Sequence, residues 1–388
     1  MFYWHLQTLF RLMKALFYLA VLLMIAFEIA NVYFIMPMPG SQQMNSIGLA
    51  YFLYSWRWYI RIGLGLLTLY SFWRARFKRV WIPLLALLPW AFVAYQFNYK
   101  MTAEQMFIQP KLVMNSSQYN NVSLNRVVLG VTVNGEASAY PIQYLAYHHQ
   151  VRDVVGGQIV MVTYCNVCRT GRVFDPKVED KSETFRLVGM DHFNAMFEDS
   201  RTHSWWRQEN GEAIAGPLKG KVLPELPSSQ MALKQWLKFH PNSKVMQADS
   251  AYTEEYAHQK NYENGNKKGK LTRTDSLSWK DKSWVVGIQI GQYSKAFDWN
   301  ELKTKRILNG TVGNTPIAIV LAKDNKSFVA FERPNLEKIS MRGDTLYSQI
   351  FRYNWYGIAL DPGMSSLKKI NAYQEFWHSW RTFHGDAR

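Results

Sequence analysis

Cysteine is nearly absent from this 388-residue chain, which has two. That excludes a scaffold of many disulfides and a four-cysteine zinc site. Acid is nearly absent from the first hundred residues, where Glu28 stands alone against nine Lys and Arg. Half of the net charge of +16 therefore lies beside the apolar N-terminal segments. That is membrane-flanking charge, and the chain lacks the basic stripe of a nucleic-acid binder. No small-residue cleavage site follows the first apolar run promptly, and that run is too long for a signal-peptide core. What remains is 48% hydrophobic and 15% aromatic, enough to bury large cores in two or three units.

Residues 1–98 read as a transmembrane region. The stretch 12–36 is apolar, broken only by Lys14 and Glu28, and 80–97 is a second good span. Between them, 59–73 is shorter and begins near Arg61; it is expected as a third. Residues 47–58 read as an interfacial helix. Arg57 and Arg61 fall four apart on one helical face, and Glu28 is a candidate partner for one of them. The basic cluster RARFKR (74–79) joins the second and third spans. The positive-inside rule then places the N-terminus in the cytoplasm. This predicts a multi-pass protein of the inner (cytoplasmic) membrane with a periplasmic C-terminal part, the lipid bilayer being its first partner.

The rest of the chain resembles itself. Residues 130–175 align without a gap on 287–332, a shift of 157 that pairs Gly130 with Gly287, Leu145 with Leu302 and Phe174 with Phe331. WLKFHP (236–241) likewise resembles WRTFHG (380–385). The expected fold is α+β, a β-rich duplicated domain with pseudo-twofold halves. The first half is 99–250, a polar linker covers 251–280, and the second, degenerate half is 281–388. Each half reads as strand, turn, strand, short helix, turn and hairpin.

The comparison isolates what only the first half has. Cys165 and Cys168 align with Ala322 and Asn325, His148 and His149 with Lys305 and Arg306, and Asp153 with Gly310. TYCNVCRTG (163–171) is expected at a hairpin tip. A thioredoxin-type C-x-x-C opens a helix, so that arrangement is poorly matched. Arg169 stands where a c-type haem motif needs histidine. Two cysteines on a turn do resemble half of a thiolate metal site, with His148, His149 and His192 as candidate further ligands of zinc, copper or iron. A labile disulfide and a structural clip stay open beside it. The stretch 204–217, with Ser204, Trp206 and Gln208, and Asn194 before it, is a candidate substrate wall.

HHQVRD (148–153), VTYCNVC (162–168), THSWWRQ (202–208) and GEAIAGPLKG (211–220) together resemble a widespread prokaryotic family, domain of unknown function 3179. The resemblance is strong over 125–250 and weak beyond. It implies that His148, Asp153, Cys165, Cys168, Ser204, Trp206 and Gln208 hold the family positions. The chain departs at His149, Arg152, Asn166 and His203, where the family usually has Glu, Asn, Pro and Gly. The resemblance carries no reaction with it. Three functions are compatible with these residues. One is a Cys/His centre, metal-binding or redox, with Cys165, Cys168, His148 and Asp153 as its reactive groups. The second is a metal-free thiol–disulfide enzyme or electron relay. The third is an assembly or sensing module clipped by a disulfide, its partner a small molecule or protein.

Overall fold

The computed structural model describes residues 2–334, 336–349 and 351–388. The fold class is α+β, as the patterning implied, with small antiparallel-rich sheets behind an N-terminal group of helices. Helix α1 covers Phe2–Tyr33, α2 Ile47–Ser55, α3 Arg57–Ala75 and α4 Trp81–Tyr95. Two stretches are long and apolar enough to cross a bilayer by length and composition, Leu6–Tyr33 and Trp81–Lys100. The third expected span, 59–73, does not join them. It is helical, but Arg57, Arg61 and Arg74 lie within the 19 residues of α3 and leave it too polar.

One polar knot joins the three long helices. Arg61 donates from Nε to Glu28 Oε1 (2.9 Å) and from Nη2 to Glu28 Oε2 (2.7 Å) and Asn98 Oδ1 (2.6 Å). Asn98 donates back to Glu28 Oε2 at 2.9 Å. Glu28 is 3% exposed, so the carboxylate needs this fork of donors.

Past residue 107 the chain builds strands. Val127–Val133 turns through Asn134 and Gly135 into Glu136–Pro141. Both turn residues have positive φ (48° and 82°), the backbone that an Asn-Gly hairpin turn requires. Helix Ile142–His148 follows, then strands Gln150–Val155, Gln158–Cys165 and Thr170–Phe174. The helix is shorter than its sequence suggests, because QVRD pairs with Val160–Thr163 as strand. The same order recurs with strands Trp284–Ile290 and Tyr293–Asp298, helix Trp299–Lys305, and strands Ile307–Val312, Thr315–Leu321 and Phe328–Glu332. Helix ends agree in detail: His149 and Arg306 both take φ 65°. Val127–Val133 also pairs with Ser228–Ala232, as Trp284–Ile290 pairs with Tyr373–Phe376.

These two stretches are not separate bodies. One hydrophobic cluster runs from Val128, Tyr140 and Val162 to Ala318, Phe331 and Trp355. The supposed linker 251–280 is also partly built in. Its Tyr256 and Tyr262 are buried in that cluster, at 4% and 1% exposure, and their hydroxyls bond His148 Nε2 and Asn166 O. A second cluster joins Val32, Ile35, Met36 and Ala50 of the helical region to Met190, Met196, Trp205 and both cysteines.

Candidate functional site

Cys165 ends its strand and Cys168 lies in the turn that leads to Thr170, with Cys165 paired to Thr170 in register. The hairpin tip is therefore where the sequence placed it. Both cysteines are free thiols and fully buried, at 0% exposure. Their sulfurs converge on one carbonyl, Phe193 O, at 3.5 Å from Cys165 and 3.3 Å from Cys168. Phe193 is held there by a sharp turn in which His192 and Phe193 have φ 50° and 68°, costly for residues with side chains. The turn is tied down from the helical region, since Phe193 N donates to Gln42 Oε1 at 3.0 Å.

The two thiols differ. Burial works against a charge on Cys165, but hydrogen bonds from the Cys168 thiol and from the N–H groups of Cys168, Ala195 and Val167 outweigh it and lower its pKa. Burial, the hydrogen bond to Cys165 and the negative charge there push Cys168 well up. Of the two, Cys165 is the one that loses its proton first.

Its polar surroundings come from the second half. Lys282 Nζ donates to Val167 O at 2.8 Å and to His378 Nε2 at 2.9 Å. The same Nε2 lies 3.1 Å from Val167 O. Burial, then the neighbouring ammonium, pushes His378 down to about 3. Burial pushes Lys282 down to about 8, and the charges that oppose this most are the cysteines. Ser379 stands beside Cys168 and favours its thiolate, and Phe376 N donates to Cys168 O at 2.8 Å. Sequence reasoning missed Lys282, His378 and Ser379. It treated the second half as a copy without chemistry. Lys282 aligns with Asn125 at the same shift of 157, so extending the comparison five residues upstream of Gly130 would have exposed the difference.

The expected histidine ligands lie elsewhere. His148 bonds Ile108 O through Nδ1 (2.5 Å) and Tyr256 Oη through Nε2 (2.6 Å). His149 stacks on Phe107 with ring centres 4.5 Å apart, and burial pushes it down to about 4. His192 bonds Asp191 at 2.6 Å, which raises its pKa and favours the imidazolium, a poor metal ligand. Among the described residues no three His, Cys, Asp or Glu side chains are grouped to hold a metal. Asp153 accepts from Tyr140 Oη at 2.6 Å and from Val154 N at 2.7 Å, as a structural acceptor.

The proposed substrate wall is scaffold. Gln208 donates to Thr163 Oγ1 (3.0 Å) and Thr170 O (3.2 Å) and accepts from Asn194 Nδ2 (3.0 Å). Trp206 Nε1 donates to Asp199 (2.9 Å), and Ser204 Oγ accepts from Leu218 N (3.1 Å). These four side chains are 2% exposed or less, and Gln208 ties them to both strands of the cysteine hairpin. Below them Arg172 Nη2 holds Glu209 at 2.9 Å and Glu375 at 2.8 Å. His384 reaches Glu209 at 2.7 Å and Thr170 reaches Glu375 at 2.8 Å. Arg172 is 2% exposed and joins Glu209 of the first half to Glu375 of the second.

The family model described as Protein of unknown function (DUF3179) matches residues 107–387, so the chain belongs to that family. The match extends through the second half, further than the motifs alone indicated. No curated protein and no solved structure matches the chain.

Proposed function

We propose that the chain is a membrane-associated thiol–disulfide protein whose reactive couple is Cys165 and Cys168. One observation carries the reading: two buried thiols whose sulfurs converge on Phe193 O at 3.5 and 3.3 Å, ionisation favoured at Cys165 and disfavoured at Cys168, with the Lys282 ammonium bonded to the turn between them. An ionised thiol is the nucleophile in exchange, and its neutral neighbour is the resolving group. The Cys165 thiolate attacks one sulfur of a partner disulfide and releases the other as a thiol. Cys168 then gives up its proton and attacks Cys165, closing the intramolecular disulfide and releasing the second thiol. Two electrons pass to the partner; the Cys168 proton ends on one product thiol, and the other product thiol takes its proton from Lys282 or water. Access requires the His192–Phe193 turn to lift from the sulfurs.

The apolar helices support membrane association, and RARFKR beside Trp81–Lys100 is flanking charge of the kind that orients such a helix. The recurrence of elements at a shift of 157 supports descent of the two halves from one duplicated unit, with the thiols added to one of them. A copper(I) centre is the second reading. It rests on the N–H groups of Val167 and Cys168 already aimed at the Cys165 sulfur, in surroundings that offer a soft metal two thiolates.

Full-length protein in detergent micelles is equilibrated in glutathione buffers of graded potential, and free thiols are counted by alkylation and mass spectrometry. A reversible two-electron transition above about −300 mV is expected. No transition, or one far below that value, sinks the couple. Equal copper content in the native chain and in Cys165→Ser/Cys168→Ser sinks the metal reading.

A further inference from the structure

Away from the thiols, a cavity of about 330 Å³ opens where the two halves meet. Its walls include Thr132, Ser229 and His240 from the first half and Tyr356, Lys369 and Asn371 from the second. None of its lining residues is Asp or Glu. Lys369 is solvent-exposed as a residue, yet its Nζ lies 3.0 Å from the centre of the Tyr356 ring. His240 Nε2 is 3.2 Å from Tyr356 Oη. Burial and the Lys369 charge push His240 down to about 4, and burial pushes Lys369 down to about 8. No negative group offsets that burial. The volume suits a small molecule, and Lys369 and His240 both meet Tyr356.

The protein contains a counterpart with the missing charge in place. Trp236 packs on Gly130, where an added Cβ would come within 2.3 Å of the ring, and His240 stacks on that indole at 4.0 Å. Trp380 packs on Gly287 in the same way, at 2.0 Å, and His384 stacks on it at 3.9 Å. There the histidine Nε2 meets a carboxylate, Glu209, which Arg172 also holds. The cavity has the stacked histidine and the cation, and lacks the carboxylate between them.

We infer that this cavity binds a small carboxylate ligand, its anionic group bridging the Lys369 ammonium and the His240–Tyr356 pair. The site is separate from the thiols and does not rest on their chemistry.

Titration calorimetry on the full-length protein in micelles, with succinate and inorganic phosphate as probes, tests it. Succinate is expected to bind saturably, and more tightly than phosphate. Lys369→Met is expected to weaken it by about tenfold or more, the loss of one charge-assisted contact. Lys369→Arg keeps the charge and should retain most of the affinity, which separates loss of binding from loss of fold. Cys165→Ser/Cys168→Ser should bind succinate as the native chain does. No saturable heat with succinate, tighter binding of phosphate, or affinity unchanged in Lys369→Met overturns the assignment.

Discussion

Lys282 Nζ lies 2.8 Å from the carbonyl oxygen of Val167, inside the turn that separates the two cysteines. A buried ammonium needs an anion, and the thiol pair is the one this turn provides. Closing a disulfide removes that negative charge and leaves Lys282 without it. Oxidation is therefore expected to release a proton from Lys282 near neutral pH.

Lys282→Met should raise the apparent midpoint at which the pair ionises, by about one pH unit. Ultraviolet absorbance of the thiolate against pH reads this directly. The reduction potential should also lose part of its pH dependence. A midpoint identical to that of the native chain would show that Lys282 only braces the turn.

Arg172→Met removes the guanidinium from two buried carboxylates, Glu209 and Glu375, and leaves them His384 and Thr170. Removing one member of such a buried network costs about 3–5 kcal/mol. Thermal unfolding of the variant should show that loss. Adding Glu375→Gln should return part of it, since burial already favours the protonated form of Glu375.

His149 is held neutral, its pKa near 4 against about 6.5 when unfolded. Between these values the unfolded chain binds the extra proton, so folding stability rises with pH. The contribution is complete above about pH 6.5 and is lost as pH falls towards 4, up to about 3 kcal/mol. His149→Asn keeps a residue that tolerates the left-handed backbone. Denaturant unfolding at pH 5 and pH 7 should show a smaller difference in the variant than in the native chain.

The Glu28–Arg61 pair predicts non-additive losses. Glu28→Leu leaves a guanidinium facing α1, and Arg61→Leu leaves a buried carboxylate with Asn98 alone. Each single variant should be less stable in micelles than the double variant, because the double removes both charges together. Additive losses would show that the two side chains do not share an energy.

Much of this architecture is local and could be read before folding was considered. Asn134–Gly135 announces its own turn, alternation announces the strands, and a shift of 157 recurs in the element order. The Glu28 partner was also legible, since Arg57 and Arg61 supply the few cations near it. The histidines were not. Periodicity set His148 and His149 at a helix end before the cysteine strand, but which neighbour covers each ring depends on Tyr256 and Phe107, brought in from outside the repeat.

The sequence by itself determined the membrane-apt helices, the α+β elements, the hairpin that carries Cys165 and Cys168, and the family. Those follow from residue types within a few positions of one another, where backbone geometry leaves few choices. Only the tertiary structure decided that Lys282, His378 and Ser379 face the thiols and that His240 and Lys369 share a cavity. Such contacts span 115 residues of chain at Lys282 and 211 at His378. They are set by how two sheets close on a common core, which no local period records.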